Sequence, residues 1–125
     1  MAVLLATALV LLTVNIDWGD SGAKAAAARA QIDSFMAALD AYKSDTGQYP
    51  STVEGLDALR VKPDGVENWQ GPYLPRAIPR DSWGREYIYN FPGTHGMKPE
   101  VVSYGADGKP GGVDESADIE SWKLE

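Results

Sequence analysis

Cysteine is absent from the 125 residues. Disulfides, thiolate metal sites, iron–sulfur clusters and cysteine nucleophiles are therefore excluded together. Positive charge is scarce, with 11 Lys and Arg against 18 Asp and Glu and a formal net charge of -7. Nucleic-acid affinity rests mainly on clustered basic side chains, so this balance argues against a phosphate-binding surface and no nucleic-acid partner is expected. Histidine occurs once, at position 95. A nucleophile–His–acid arrangement needs a serine and a carboxylate converging on that ring, and nothing in the spacing supplies them. The adjacent acids Asp114 and Glu115 sit among glycines, where carboxylates bind cations or face water more often than they act as an acid–base pair. The GKPGG segment at 108–112 lacks the spacing of a phosphate loop. No enzymatic activity is expected.

What remains is ample for folding. Hydrophobic residues make up 44% of the chain and aromatics 10%, enough for a packed core in one small domain. The charges are unevenly placed. Residues 1–16, MAVLLATALVLLTVNI, carry none, and as a helix they would reach roughly 24 Å, short of a ~30 Å hydrocarbon core. No Lys or Arg precedes Lys24, so a secretory signal would lack its basic flank. The run reads as a retained membrane segment ahead of a cleaved signal or a buried core helix. Asp17-Trp18-Gly19-Asp20-Ser21-Gly22 then interrupts it, and two glycines with two acids predict a helix break, an N-cap or a flexible joint, with Trp18 suited to an interface. The chain accordingly divides into a hydrophobic segment, 1–22, and a single globular unit, 23–125.

From Ala23 the pattern is helical. Ile32, Phe35, Met36, Leu39 and Tyr42 recur at i, i+3, i+4, i+7 and i+10, and Gly47 with Pro50 stops the helix. Ser51 or Thr52 is placed to cap a short helix through Glu54 to Leu59 or Arg60. Residues 63–85 mix prolines with Trp69, Tyr73 and Trp83, which predicts an ordered loop pinned by rings. Strands are expected at 85–91 and 100–104, joined by a hairpin loop carrying His95, with a third short strand at 121–124.

Between the last two lies SYGADGKPGGVDESADIESW, residues 103–122. Its glycines permit sharp turns, and Asp107, Asp114, Glu115, Asp118 and Glu120 offer hard oxygen donors of the kind calcium takes. An EF-hand is excluded, because Lys109 and Gly111 fall where that loop needs oxygen ligands. On composition alone, a calcium loop and a solvated acidic loop braced by Asx-turns both remain open.

The order of segments is specific: LDAYKSDTGQYPSTVEGLDAL, then WQGPYLPRAIPRDSWGREYIY, then PEVVSYGADGKPGG and DESADIESW. Over roughly residues 23–122 the chain resembles the major (core) pseudopilins of the type II secretion system, the general secretion pathway protein G family. The resemblance implies an α+β, pilin-like fold: a long N-terminal helix packed on a small antiparallel sheet of about three strands, with a long calcium-binding loop. It implies Ca2+ held by the side chains of Asp107, Asp114 and Asp118 and by carbonyls near Tyr104 and Ser116. It further implies a homo-oligomeric helical filament, the periplasmic pseudopilus, that drives export of folded proteins across the outer membrane. The partners would be other pseudopilins, the inner-membrane platform of the secretion system and the membrane itself, held by a single-pass N-terminal helix. The basic leader, the peptidase-site glycine and the FTLIE-like mature start of such proteins are not in this sequence, and Met1 aligns about two turns inside the family's mature helix. A truncated or misplaced start is the expectation, and so is the absence of a prepilin peptidase site. The alternatives are a type IV pilin, a minor pseudopilin or a small membrane-anchored calcium-binding module. The lack of a cysteine pair in the acidic C-terminal region favours the pseudopilin.

Overall fold

A computed structural model describes the backbone of residues 2–123 and the side chains of residues 22–123. The first helix, α1, runs Ala2–Thr46 without interruption. The expected break at residues 17–22 is therefore absent. Each glycine costs a helix about 1 kcal/mol, a local penalty that alanine-rich flanks and continuous hydrogen bonding override. The apolar side chains of residues 1–16, and with them the membrane reading of residues 1–22, lie outside the described residues. Among the described residues no helix is long and apolar enough to cross a membrane.

The C-terminal half of α1 supplies one wall of the core. Ala28, Ile32, Phe35, Leu39 and Tyr42 are buried, a stripe that follows the helical period. Met36 lies at its edge and packs against the core. At the end of the helix Gly47 takes φ 92°. Its N–H donates to the Lys43 carbonyl at 2.8 Å, the left-handed cap that glycine adopts without a Cβ penalty.

Three short strands form the opposite wall: β1 (Ile88–Asn90), β2 (Glu100–Ser103) and β3 (Ile119–Glu120). They are antiparallel in the order β1-β2-β3, with Tyr89 opposite Val101 and Ser103 opposite Ile119. All four residues of β2 are buried, as its central place requires. The third strand falls earlier than residues 121–124. Ser121–Lys123 is a 3-10 turn, and the Ser121 hydroxyl points back to accept the Val101 N–H at 3.0 Å. The same shift puts a strand inside the segment expected to be irregular, which also contains a 3-10 turn at Asp114–Ser116.

Residues 51–54 close a reciprocal cap. The Ser51 hydroxyl accepts the Glu54 N–H at 3.1 Å while the Glu54 carboxylate accepts the Ser51 N–H at 2.8 Å. The regular turn that follows is only a 3-10 turn, Leu56–Leu59. Rings pin the proline-rich stretch as expected. The Trp69 indole donates to the Ala58 carbonyl at 2.9 Å and the Tyr73 hydroxyl to Asp45 at 2.8 Å. Tyr73 stands edge-on between Trp69 and Tyr42, with centroids 5.6 and 5.7 Å away.

Candidate functional site: the acidic glycine loop and its root

Residues 104–118 leave β2 and return to β3, so both ends are tied to the sheet. Gly105 takes φ 73° and Gly112 φ 91°. A Cβ at Gly105 would lie 2.8 and 2.9 Å from the Ala117 and Glu115 carbonyl oxygens, and one at Gly112 would collide with the Ser116 carbonyl. Side chains at either position would fill a cradle lined by backbone oxygens. The Ala106 N–H donates to the Glu115 carbonyl at 2.9 Å and draws the two limbs of the loop together.

The five expected ligand positions divide into inner and outer ones. Asp118 is half-buried: its Oδ2 accepts the Gly111 N–H at 3.0 Å, and its Oδ1 is buried with no hydrogen-bond partner. An orphaned carboxylate oxygen costs folding free energy unless something balances it. Tyr104 is half-buried at the end of β2, and Ser116 closes the 3-10 turn with its carbonyl against Gly112. Asp107 is exposed, and its Oδ1 accepts the Lys109 N–H at 3.0 Å in an Asx-turn. Asp114 is exposed too, at φ 52°. Among the described residues no three His, Asp or Glu side chains stand close enough to hold an ion by themselves. An ion here would need backbone carbonyls alongside Asp118, a donor set of the kind calcium accepts.

The root of the loop was not legible as a site. Asp81 is buried, and its Oδ1 accepts the N–H groups of Trp83 at 3.0 Å and Arg85 at 2.9 Å. Its Oδ2 accepts the Ser103 hydroxyl at 2.8 Å, and Ser103 in turn accepts the Gly105 N–H at 3.3 Å. The Arg85 guanidinium reaches the Gly105 and Ala106 carbonyls, both at 3.3 Å. In the same segment the Ser82 hydroxyl donates to the Lys24 carbonyl on α1 at 2.8 Å. One turn, residues 81–85, thus touches the helix, the central strand and the acidic loop.

His95 has a structural setting. Its Nδ1 meets Glu100 Oε2 at 2.5 Å, and its ring stacks on Trp122 with centroids 3.9 Å apart. The same Glu100 oxygen accepts the N–H groups of Thr94 and His95, both at 2.9 Å. Burial opposes ionisation of Glu100 and is the largest single influence. The His95 imidazole and these two N–H donors together outweigh it, so the carboxyl titrates below its ordinary value. A depressed carboxylate stabilises the fold above its unfolded pKa, and that contribution fades as pH falls through the lower folded value. Thermal unfolding from pH 7 to pH 3 should accordingly lose stability below about pH 4.5, and Glu100→Gln should flatten that acid limb. An unchanged limb would mean that other carboxylates carry it.

A long helix docked on a three-stranded antiparallel sheet, with a glycine-rich acidic loop closing the sheet, is the pilin-like architecture expected from the sequence. The crystal structure of the major pseudopilin from the type 2 secretion system of enterohaemorrhagic Escherichia coli superposes with a TM-score of 0.70 at 30% identity, covering 88% of this chain and 96% of that one. Residues 18–122 match the family described as type II secretion system (T2SS), protein G, and the chain belongs to that family of pseudopilus subunits. The type II secretion system core protein G of Pseudomonas aeruginosa is 46% identical over 103 residues, 80% of this chain and 72% of that protein. Its counterpart in Vibrio cholerae is 44% identical over 91 residues, 70% of this chain and 61% of that protein.

Proposed function

We propose that the chain polymerises with copies of itself into a periplasmic pseudopilus that carries folded proteins toward the outer membrane. It would do so as a structural element, with no chemical step of its own. The observation that carries this reading is the unused face of α1. Ala28 is buried in the domain, whereas Ala26, Ala27 and Ala30 on the same turns are exposed. Small side chains let helices approach closely, and a contact that repeats head to tail builds an open helical filament. Residues 1–16 would extend that contact into the filament core and, before assembly, hold the subunit in the inner membrane with its globular part in the periplasm. Other pseudopilins and the inner-membrane platform would be its assembly partners.

Replacing Ala30 with Trp should suppress filament formation while leaving thermal unfolding of the subunit within about 0.5 kcal/mol of the parent, the usual range for an exposed site. Filament length by electron microscopy and melting by circular dichroism check the two halves separately. Normal filaments from the variant would defeat the reading.

The acidic loop is proposed to bind calcium. Asp118 would supply the inner carboxylate, Asp107 and Asp114 outer ones, and Tyr104 and Ser116 main-chain oxygens. The bound ion would supply positive charge that cross-links these oxygens. The unpaired Asp118 Oδ1 and the carbonyl-lined cradle around Gly105 and Gly112 support this donor set. A tetrahedral zinc site would call for histidine or cysteine, which the loop lacks.

A further inference from the structure

We infer that Arg85 is a built-in cation for the acidic loop, holding its entry folded when calcium is absent. The loop would then be shared between two positive charges, a permanent one at its root and an exchangeable one further along. This rests on the calcium reading above.

Three sets of contacts carry the inference. The guanidinium donates to the carbonyls of Gly105 and Ala106, two successive main-chain oxygens just after β2. Gly108, at φ 68°, packs so closely that a Cβ there would land on the Arg85 Nε. The root of Arg85 is itself fixed: its N–H donates to Asp81 Oδ1 at 2.9 Å, and its carbonyl accepts the Asp81 N–H at 2.6 Å. Both donations come from Nη1, and the planar guanidinium, held by its packing against Gly108, fixes the direction of that nitrogen in a way a freely rotating lysine ammonium does not.

The division of labour follows from where each group lies. Arg85 engages residues 105–108, at the start of the loop. The unpaired Asp118 Oδ1 lies at its other end, where no donor reaches it. Without an ion, the first limb keeps a cationic partner while the second holds a carboxylate with one buried oxygen unpaired. Opening should therefore begin at residues 111–118, and Arg85 should stop it from spreading into the sheet through Ser103. Removing Arg85 would leave the first limb dependent on the ion too.

The test is limited proteolysis of the full chain in mild detergent, with saturating calcium chloride or with EGTA, on the parent protein, Arg85→Gln, Arg85→Lys and Asp118→Asn. Cleavage sites within residues 104–118 are read by mass spectrometry, and calcium affinity is read by isothermal titration. Arg85→Gln in EGTA should be cut in residues 104–110 at least threefold faster than the parent. Saturating calcium should restore most of the protection, and Arg85→Lys should recover only part of it. Asp118→Asn should lose calcium affinity at least tenfold while keeping parental resistance at residues 104–110 in EGTA. Equal cleavage of Arg85→Gln and parent in EGTA would overturn the inference, as would faster cleavage that bound calcium fails to slow. A parent that binds no calcium would overturn the calcium reading and the sharing with it. The EGTA comparison would still decide whether Arg85 holds the loop.

Discussion

Asp81→Ala should destabilise the domain by about 3–5 kcal/mol, the range for stripping a buried, hydrogen-bonded charge from its partners. The substitution leaves the N–H groups of Trp83 and Arg85 and the hydroxyl of Ser103 without their shared acceptor. Ser103 is fully buried, so water does not replace the lost contact cheaply. Melting followed by circular dichroism should fall by more than about 12 °C for a domain of this size. Asp81→Asn keeps an acceptor for the two N–H groups, and the Ser103 hydroxyl can turn to accept from the amide. Its cost should be about 1–2 kcal/mol. The two variants costing the same would show that the turn needs the charge rather than the hydrogen bonds.

Phe35→Ala should have an effect of similar size, about 3–5 kcal/mol, through a cavity rather than through unpaired polar groups. The ring is fully buried on α1 and stands edge-on to Tyr87 with centroids 5.0 Å apart, so it joins the helix to the run leading into β1. Phe35→Leu retains most of the apolar volume and should cost less than about 1.5 kcal/mol. Half-buried Met36, the next residue, provides the internal control: Met36→Ala should cost clearly less than Phe35→Ala. Chemical denaturation gives both values, and near-equal costs would mean that the core is not centred on the Phe35 face.

The two variants also mark what a one-dimensional reading reaches. The Phe35 stripe was legible because a helix brings every third or fourth residue to one face, so burial leaves a periodic trace. Tyr87 and Tyr89 were legible by alternation in the same way, and both are buried. Asp81 left no such trace. Its segment shows turn chemistry, but its partner Ser103 is 22 positions away, and no local pattern connects the two. Arg85 was invisible for the same reason, since its carbonyl partners lie 20 and 21 positions on. The third strand was placed late because two residues are too few for an alternating signal, and Ile119 alone anchors its buried face. Glycines at 19 and 22 were weighted as breaks, although local propensity is weaker than the continuity of a long helix. Among the acids of the loop, composition named the donors but not their ranking. That Asp118 faces inward while Asp107 and Asp114 face water depends on how the chain returns to β3.

The uninterrupted course of α1 has a mechanical consequence. A helix of 45 residues is about 68 Å long, and among the described residues the contacts of the domain with it reach back as far as the Lys24 carbonyl. The backbone between Ala2 and Lys24 is then a lever arm of about 33 Å. Rocking the globular head by about 10° would sweep the far end through about 6 Å, comparable with the rise of a helical turn. Ser82, bonded to the Lys24 carbonyl, sits at the fulcrum, so small changes in the 81–85 turn are magnified at the distant end of the rod.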